Sequence, residues 1–151
     1  MIKHTEELIG VYDHKLSLMQ AFVACLNSER DYLIHCDTDK LWTLMEEKNR
    51  ILKEMMDTRD QINRMKEETT SGHDMTAKDA QGLNELIKKI VHTEQEIKMR
   101  VEENTTFIKD TLGFFDELMD TLTSGLRLEP AYHPAHRKGC DRSNLIYHRE
   151  V

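Results

Sequence analysis

No long hydrophobic run occurs in this sequence. The longest unbroken apolar stretch is residues 21–26, far short of the roughly 20 residues that cross a bilayer as a helix. The first residues lack the charged, apolar, small-residue order of a secretory signal. Prolines number two, Pro130 and Pro134, both near the end. The cysteines, Cys25, Cys36 and Cys140, are odd in number and scattered. That excludes a disulfide framework and reads as reduced cytosolic thiols. Excess positive charge is also missing, since the formal net charge is −7. Residues 126–151 are net basic, with Arg127, Arg137, Lys138, Arg142 and Arg149 against Glu129, Asp141 and Glu150, so the acidic excess lies in the body. An acidic body excludes phosphate-driven binding of nucleic acid.

Catalytic signatures are missing too. There is no Glu-x-x-His pair of the kind that builds a carboxylate-bridged metal bundle. Nor is there a Gly-rich phosphate loop, a Ser-x-x-Lys or a nucleophile elbow. His133, His136, Cys140 and His148 cluster near the end, but their irregular spacing suits a polar tail better than a zinc site. His35 and His92 read as solvent-facing helix residues. The sequence therefore implies no enzyme, no cofactor and no metal.

What is present is helix. Charged residues make up 32% and apolar residues 38% of the 151, a balance that favours long solvent-bathed helices over a thick core. The periodicity predicts an all-α fold: an elongated three-helix antiparallel bundle, coiled-coil-like, over residues 1–125. Residues 126–151 then form a mobile tail without periodicity. The predicted helices cover about residues 5–34, 38–68 and 77–124. The first carries a seam of Leu8, Tyr12, Lys15, Met19, Phe22, Leu26, Glu29 and Leu33. Val11, Leu18 and Cys25 widen that stripe, so this helix touches two neighbours. The second seam is Leu41, Met45, Lys48, Leu52, Met55, Arg59, Ile62 and Lys66. The polar stretch over residues 69–76 is a linker signal. Thr76 then caps the third helix, with Asp79 in the capping-box position.

The third seam runs Leu83, Ile87, Ile90, Glu94, Ile97, Val101, Asn104, Ile108, Thr111, Phe115, Leu118 and Leu122. Gly125 is a natural stop. Unbroken, this helix is about 70 Å long against about 45 Å for each of the others. In an up-down-up arrangement it overhangs its neighbours and carries Phe114, Phe115, Leu118, Met119 and Leu122 with it. Apolar side chains in such a row need a partner. Either the helix breaks at Gly113 and folds back, or those residues bury in another chain.

The remaining signal is the hairpin over residues 26–52. Asp37 can cap the second helix. Counted from that turn, Glu29 and Lys48 come within about one helical turn of each other. Both interrupt apolar rows, which predicts an ion pair at the seam that fixes helix register. The alternative is a solvated edge pair of little consequence. Nine methionines serve either as core filling or as an adaptable groove for a partner helix.

The spaced set Leu26, Glu29, Leu33, Asp37, Leu41, Leu44, Lys48 and Leu52 resembles the hairpin of the FlgN family of bacterial flagellar export chaperones. The resemblance implies a cytoplasmic chaperone for the hook-associated proteins of the hook–filament junction. Such chaperones bind the C-terminal segments of their clients, prevent early assembly and deliver them to the type III export apparatus. The family binds largely through its C-terminal part. Here that implies Phe107, Phe114, Phe115, Leu118, Met119 and Leu122, with tail anchors Leu126, Leu128, Tyr132, Leu145, Ile146 and Tyr147. No nucleic acid and no membrane insertion are implied, and a homodimer stays open. The other reading is a structural or regulatory coiled-coil protein that self-associates through the same helices.

Overall fold

The computed structural model describes residues 2–69 and 75–125. The expected mobile tail, its histidine and cysteine cluster and most of the linker lie outside the described residues. The chain is all-α, with three helices: α1 (Ile2–Ile34), α2 (Thr38–Thr69) and α3 (Ala77–Gly125). Helix α1 starts three residues earlier than the sequence pattern indicates. The chain divides into two units, Met1–Asp110 and Thr111–Val151. The first holds α1, α2 and the greater part of α3, and the second holds the end of α3.

Backbone chemistry at the first turn explains the sharp reversal. Asp37 N–H donates to the Tyr32 carbonyl at 3.0 Å and Cys36 N–H to the Leu33 carbonyl at 3.3 Å. These two bonds form a Schellman stop. Cys36 occupies the left-handed position, with φ of 53°. Asp37 then caps α2, its Oδ1 accepting the Lys40 N–H at 3.2 Å. A side chain at a left-handed position is strained, and glycine removes that strain. Cys36→Gly is therefore expected to raise the unfolding free energy by about 0.5–1 kcal/mol, and Cys36→Val to lower it. Urea midpoints of the two variants read both signs. The start of α3 is capped as the pattern indicates: Asp79 N–H donates to Thr76 Oγ1 at 3.2 Å, and the Thr76 hydroxyl donates back to the Asp79 carboxylate.

Within the first unit the helices run up, down and up. Lys15 lies beside Glu94, and Arg30 beside Glu103, so α3 runs parallel to α1. Helix α1 supplies most of the buried apolar side chains, because it faces both neighbours. One cluster joins Leu8, Tyr12, Leu16 and Met19 to Ile62 of α2 and Ile90 of α3. A second joins Leu18, Phe22, Cys25 and Leu26 to Ile51, with Ile97 packed against it.

Two of the three expected seams are half wrong. On α2 the inward residues are Leu44, Ile51, Thr58, Ile62 and Met65, while Met45, Leu52, Arg59 and Lys66 are exposed. On α3 the inward residues are Ile90, Thr93, Ile97, Asn104 and Phe107, while Ile87, Glu94, Val101 and Ile108 are exposed. In each helix one of the two seam rows is displaced by a single residue, about 100° around the axis. The two threonines are tolerated inward because their hydroxyls are satisfied: Thr58 donates to the Glu54 carbonyl at 2.7 Å and Thr93 to the Lys89 carbonyl at 2.8 Å. The apolar rows left outside are then available for something else.

Helix α3 continues through Gly113 without a break, which answers the question that the sequence left open. A Cβ at Gly113 would meet nothing within 4 Å. Gly113→Ala is expected to stabilise this part of the helix by about 1 kcal/mol, since it removes backbone entropy at no steric cost. Amide exchange across residues 109–117 should slow accordingly.

Candidate functional site

Glu29, Lys48 and a third residue form a polar node that ties all three helices together. Lys48 Nζ of α2 donates to Glu29 Oε1 of α1 at 2.7 Å. From α3, Asn104 Nδ2 donates to Glu29 Oε2 at 2.9 Å and to the Leu26 carbonyl at 3.0 Å. Asn104 is buried, and the Glu29 and Lys48 side chains are each only 20% exposed. Lys48 Nζ also lies 5.9 Å from the centre of the Phe22 ring. Leu26, below the node, is 1% exposed. The residue that sequence reasoning did not connect to the pair is Asn104. Its signal was a lone amide between Val101 and Ile108 on an apolar row.

Just beyond the node, Arg30 donates from Nη1 to the Glu103 carbonyl at 3.3 Å and sets its guanidinium 4.5 Å from the centre of the Phe107 ring. Phe107 is half-buried there. It is engaged in the first unit, in a setting unlike that of the other expected partner-binding residues.

Those other residues lie on α3 in the second unit. Phe114, Phe115, Leu118, Met119 and Leu122 are all exposed, Phe114 at 61%. Leu112 is exposed with them. Leu112, Phe115, Met119 and Leu122 alternate by three and four residues, so they line one helix face. Phe114 and Leu118 widen it. The Phe114 and Phe115 rings meet edge to face, with centroids 6.1 Å apart. Asp116, Glu117 and Asp120 border the face.

Other expected sites show no converging chemistry. His35 and His92 are exposed, and the His35 ring Nδ1 lies 2.7 Å from the Asp31 carbonyl. An open furrow of about 470 Å³ between α1 and α3 is lined by Gln20, Val23, Lys88, Lys89, His92, Thr93 and Glu96. Burial pushes the Cys25 thiol above its usual range, and the nearby Glu47 carboxylate adds to the effect; such a thiol is inert. Among the described residues no group of His, Cys, Asp and Glu is placed to hold a metal ion, and no helix is long and apolar enough to cross a membrane.

Long helices tied by a buried polar node, with rows of uncovered apolar side chains outside, define a helical binding protein. The model of the family described as FlgN protein matches residues 1–137. The chain belongs to the FlgN family, a family of flagellar export chaperones rather than enzymes. No curated protein and no solved structure matched the chain.

Proposed function

We propose that this protein is a cytoplasmic chaperone for the hook-associated proteins of the hook–filament junction. It binds their C-terminal amphipathic segments, keeps them from assembling early and delivers them to the type III export apparatus. The binding residues are Phe114, Phe115, Leu118, Met119 and Leu122 of α3, with Leu112 extending the row; Phe107 serves the bundle. One observation carries this reading: six large apolar side chains, Leu112 among them, remain in water on one segment of helix. A client's terminal helix has an apolar stripe of its own, which self-associates when uncovered. Two such stripes cover each other without any catalysis. The acidic border leaves the complex partly polar and separable.

The direct test is co-expression with the C-terminal segment of a hook-associated protein. The chain should co-purify with it as a stoichiometric complex. No complex, together with a stable homodimer that buries residues 112–122, would instead establish the self-associating structural protein.

A further inference from the structure

A second uncovered apolar row lies on α2. Trp42, Met45, Leu52 and Met56 are all exposed, Trp42 at 66%. With Asn49 they alternate by three and four residues along one face. This row is not part of the core: α2 turns Leu44, Ile51 and Ile62 towards α1. It lies about 100° around the helix from that inward face. Its position is also separate from the α3 face of the second unit in sequence and in helix.

Charge sorts the candidate occupants. On the side of the row away from α1, helical spacing places Asp39, Glu46 and Asp57 with two cations, Lys53 and Arg50. Among the described residues, none of these three carboxylates has an ion-pair partner within 4 Å. The nearby arginines are already taken. Arg50 is held by Glu47 and Glu54, and Arg59 pairs with Asp60 at 3.3 Å. An antiparallel pairing of two copies of α2 sets this acidic edge against itself, which is unfavourable. A helix that carries Lys or Arg beside its apolar stripe meets the edge with opposite charge. The two exposed methionines adapt to its side chains.

We propose that the row Trp42, Met45, Leu52 and Met56 docks a basic amphipathic helix of a second protein, other than the client on α3. The proposal uses residues of α2 alone and does not rest on the client reading. Trp42 is the only tryptophan of the chain, so its emission reports occupancy of this face directly.

The test titrates the full chain with a synthetic amphipathic peptide that has leucine at heptad a and d positions and lysine at the flanking positions. Its twin carries glutamate in place of lysine. The lysine peptide is expected to shift Trp42 emission to the blue and to bind at least about tenfold more tightly than its twin. Leu52→Glu combined with Met56→Glu, both at exposed positions, should weaken it by about tenfold or more while helicity by circular dichroism is retained. Phe115→Glu combined with Leu122→Glu should leave the emission shift intact. The proposal is overturned by unchanged Trp42 emission at saturating peptide, by equal binding of the twins, or by a dimer of the chain that Leu52→Glu dissolves. Co-purification of the client in the α2 variant bears on the client reading alone, so either proposal can fail without the other.

Discussion

Glu29→Ala should lower the unfolding free energy by about 2–3 kcal/mol, more than any single surface-charge substitution in the chain. The carboxylate serves two partners at once. Without it, Lys48 Nζ loses a contact of 2.7 Å, and Asn104 Nδ2 keeps only the Leu26 carbonyl. Removing one member of a fully buried ion pair costs about 3–5 kcal/mol, because the other charge stays behind without compensation. Both side chains here retain one-fifth of their exposure, and water reaching Lys48 reduces that cost. At roughly 4 °C per kcal/mol, the melting temperature should fall by about 10 °C. The control is Glu47→Ala, on the exposed face of α2, where Arg50 holds Glu47 by a salt bridge in water and its contribution is screened. Equal melting temperatures for the two variants would remove the idea that the node matters. Replacing all three members by apolar residues of similar volume should recover most of the stability. What it loses is discrimination between helix registers, visible as doubled or broadened amide resonances from α1 and α3.

The second large effect concerns the α3 face. Phe115→Glu combined with Leu122→Glu should reduce affinity for a hook-associated C-terminal segment by at least about a hundredfold. Both side chains are exposed in the chain alone, so the helix has no packing to lose and its circular dichroism should not change. On binding, each would have to bury a carboxylate among apolar groups, which costs several kcal/mol unless it is paired. The neighbouring Asp116, Glu117 and Asp120 offer repulsion rather than pairing. Glu117→Gln, on the border, should change affinity by less than about threefold. Calorimetry with the client segment measures all three proteins. An undiminished affinity in the double variant would move the client site elsewhere.

Much of the architecture was legible in the linear pattern. Three helices, the tight reversal at Asp37, the Thr76–Asp79 cap and the Glu29–Lys48 pair all follow from contacts between residues close in sequence or mirrored about one short turn. Helical periodicity, capping and hairpin symmetry are local rules, and local rules survive without coordinates. Cys36 was read only as a thiol, since nothing in its chemistry announces a left-handed backbone; the neighbouring Schellman bonds impose it.

The choice of inward face was a tertiary matter. Helices α2 and α3 each carry two candidate rows about 100° apart. Pattern reasoning favoured Met45 and Leu52 on one, and Val101 and Ile108 on the other, although Leu44 and Ile51 satisfy the same spacing. Packing on α1 turned Ile51, Thr58, Thr93 and Phe107 inward instead. Periodicity shows that a helix has an apolar stripe; only the neighbour that presses against it decides which stripe is covered. The same choice leaves Trp42, Met56, Val101 and Ile108 in water and brings Asn104 of α3 to a carboxylate on α1, far away along the chain.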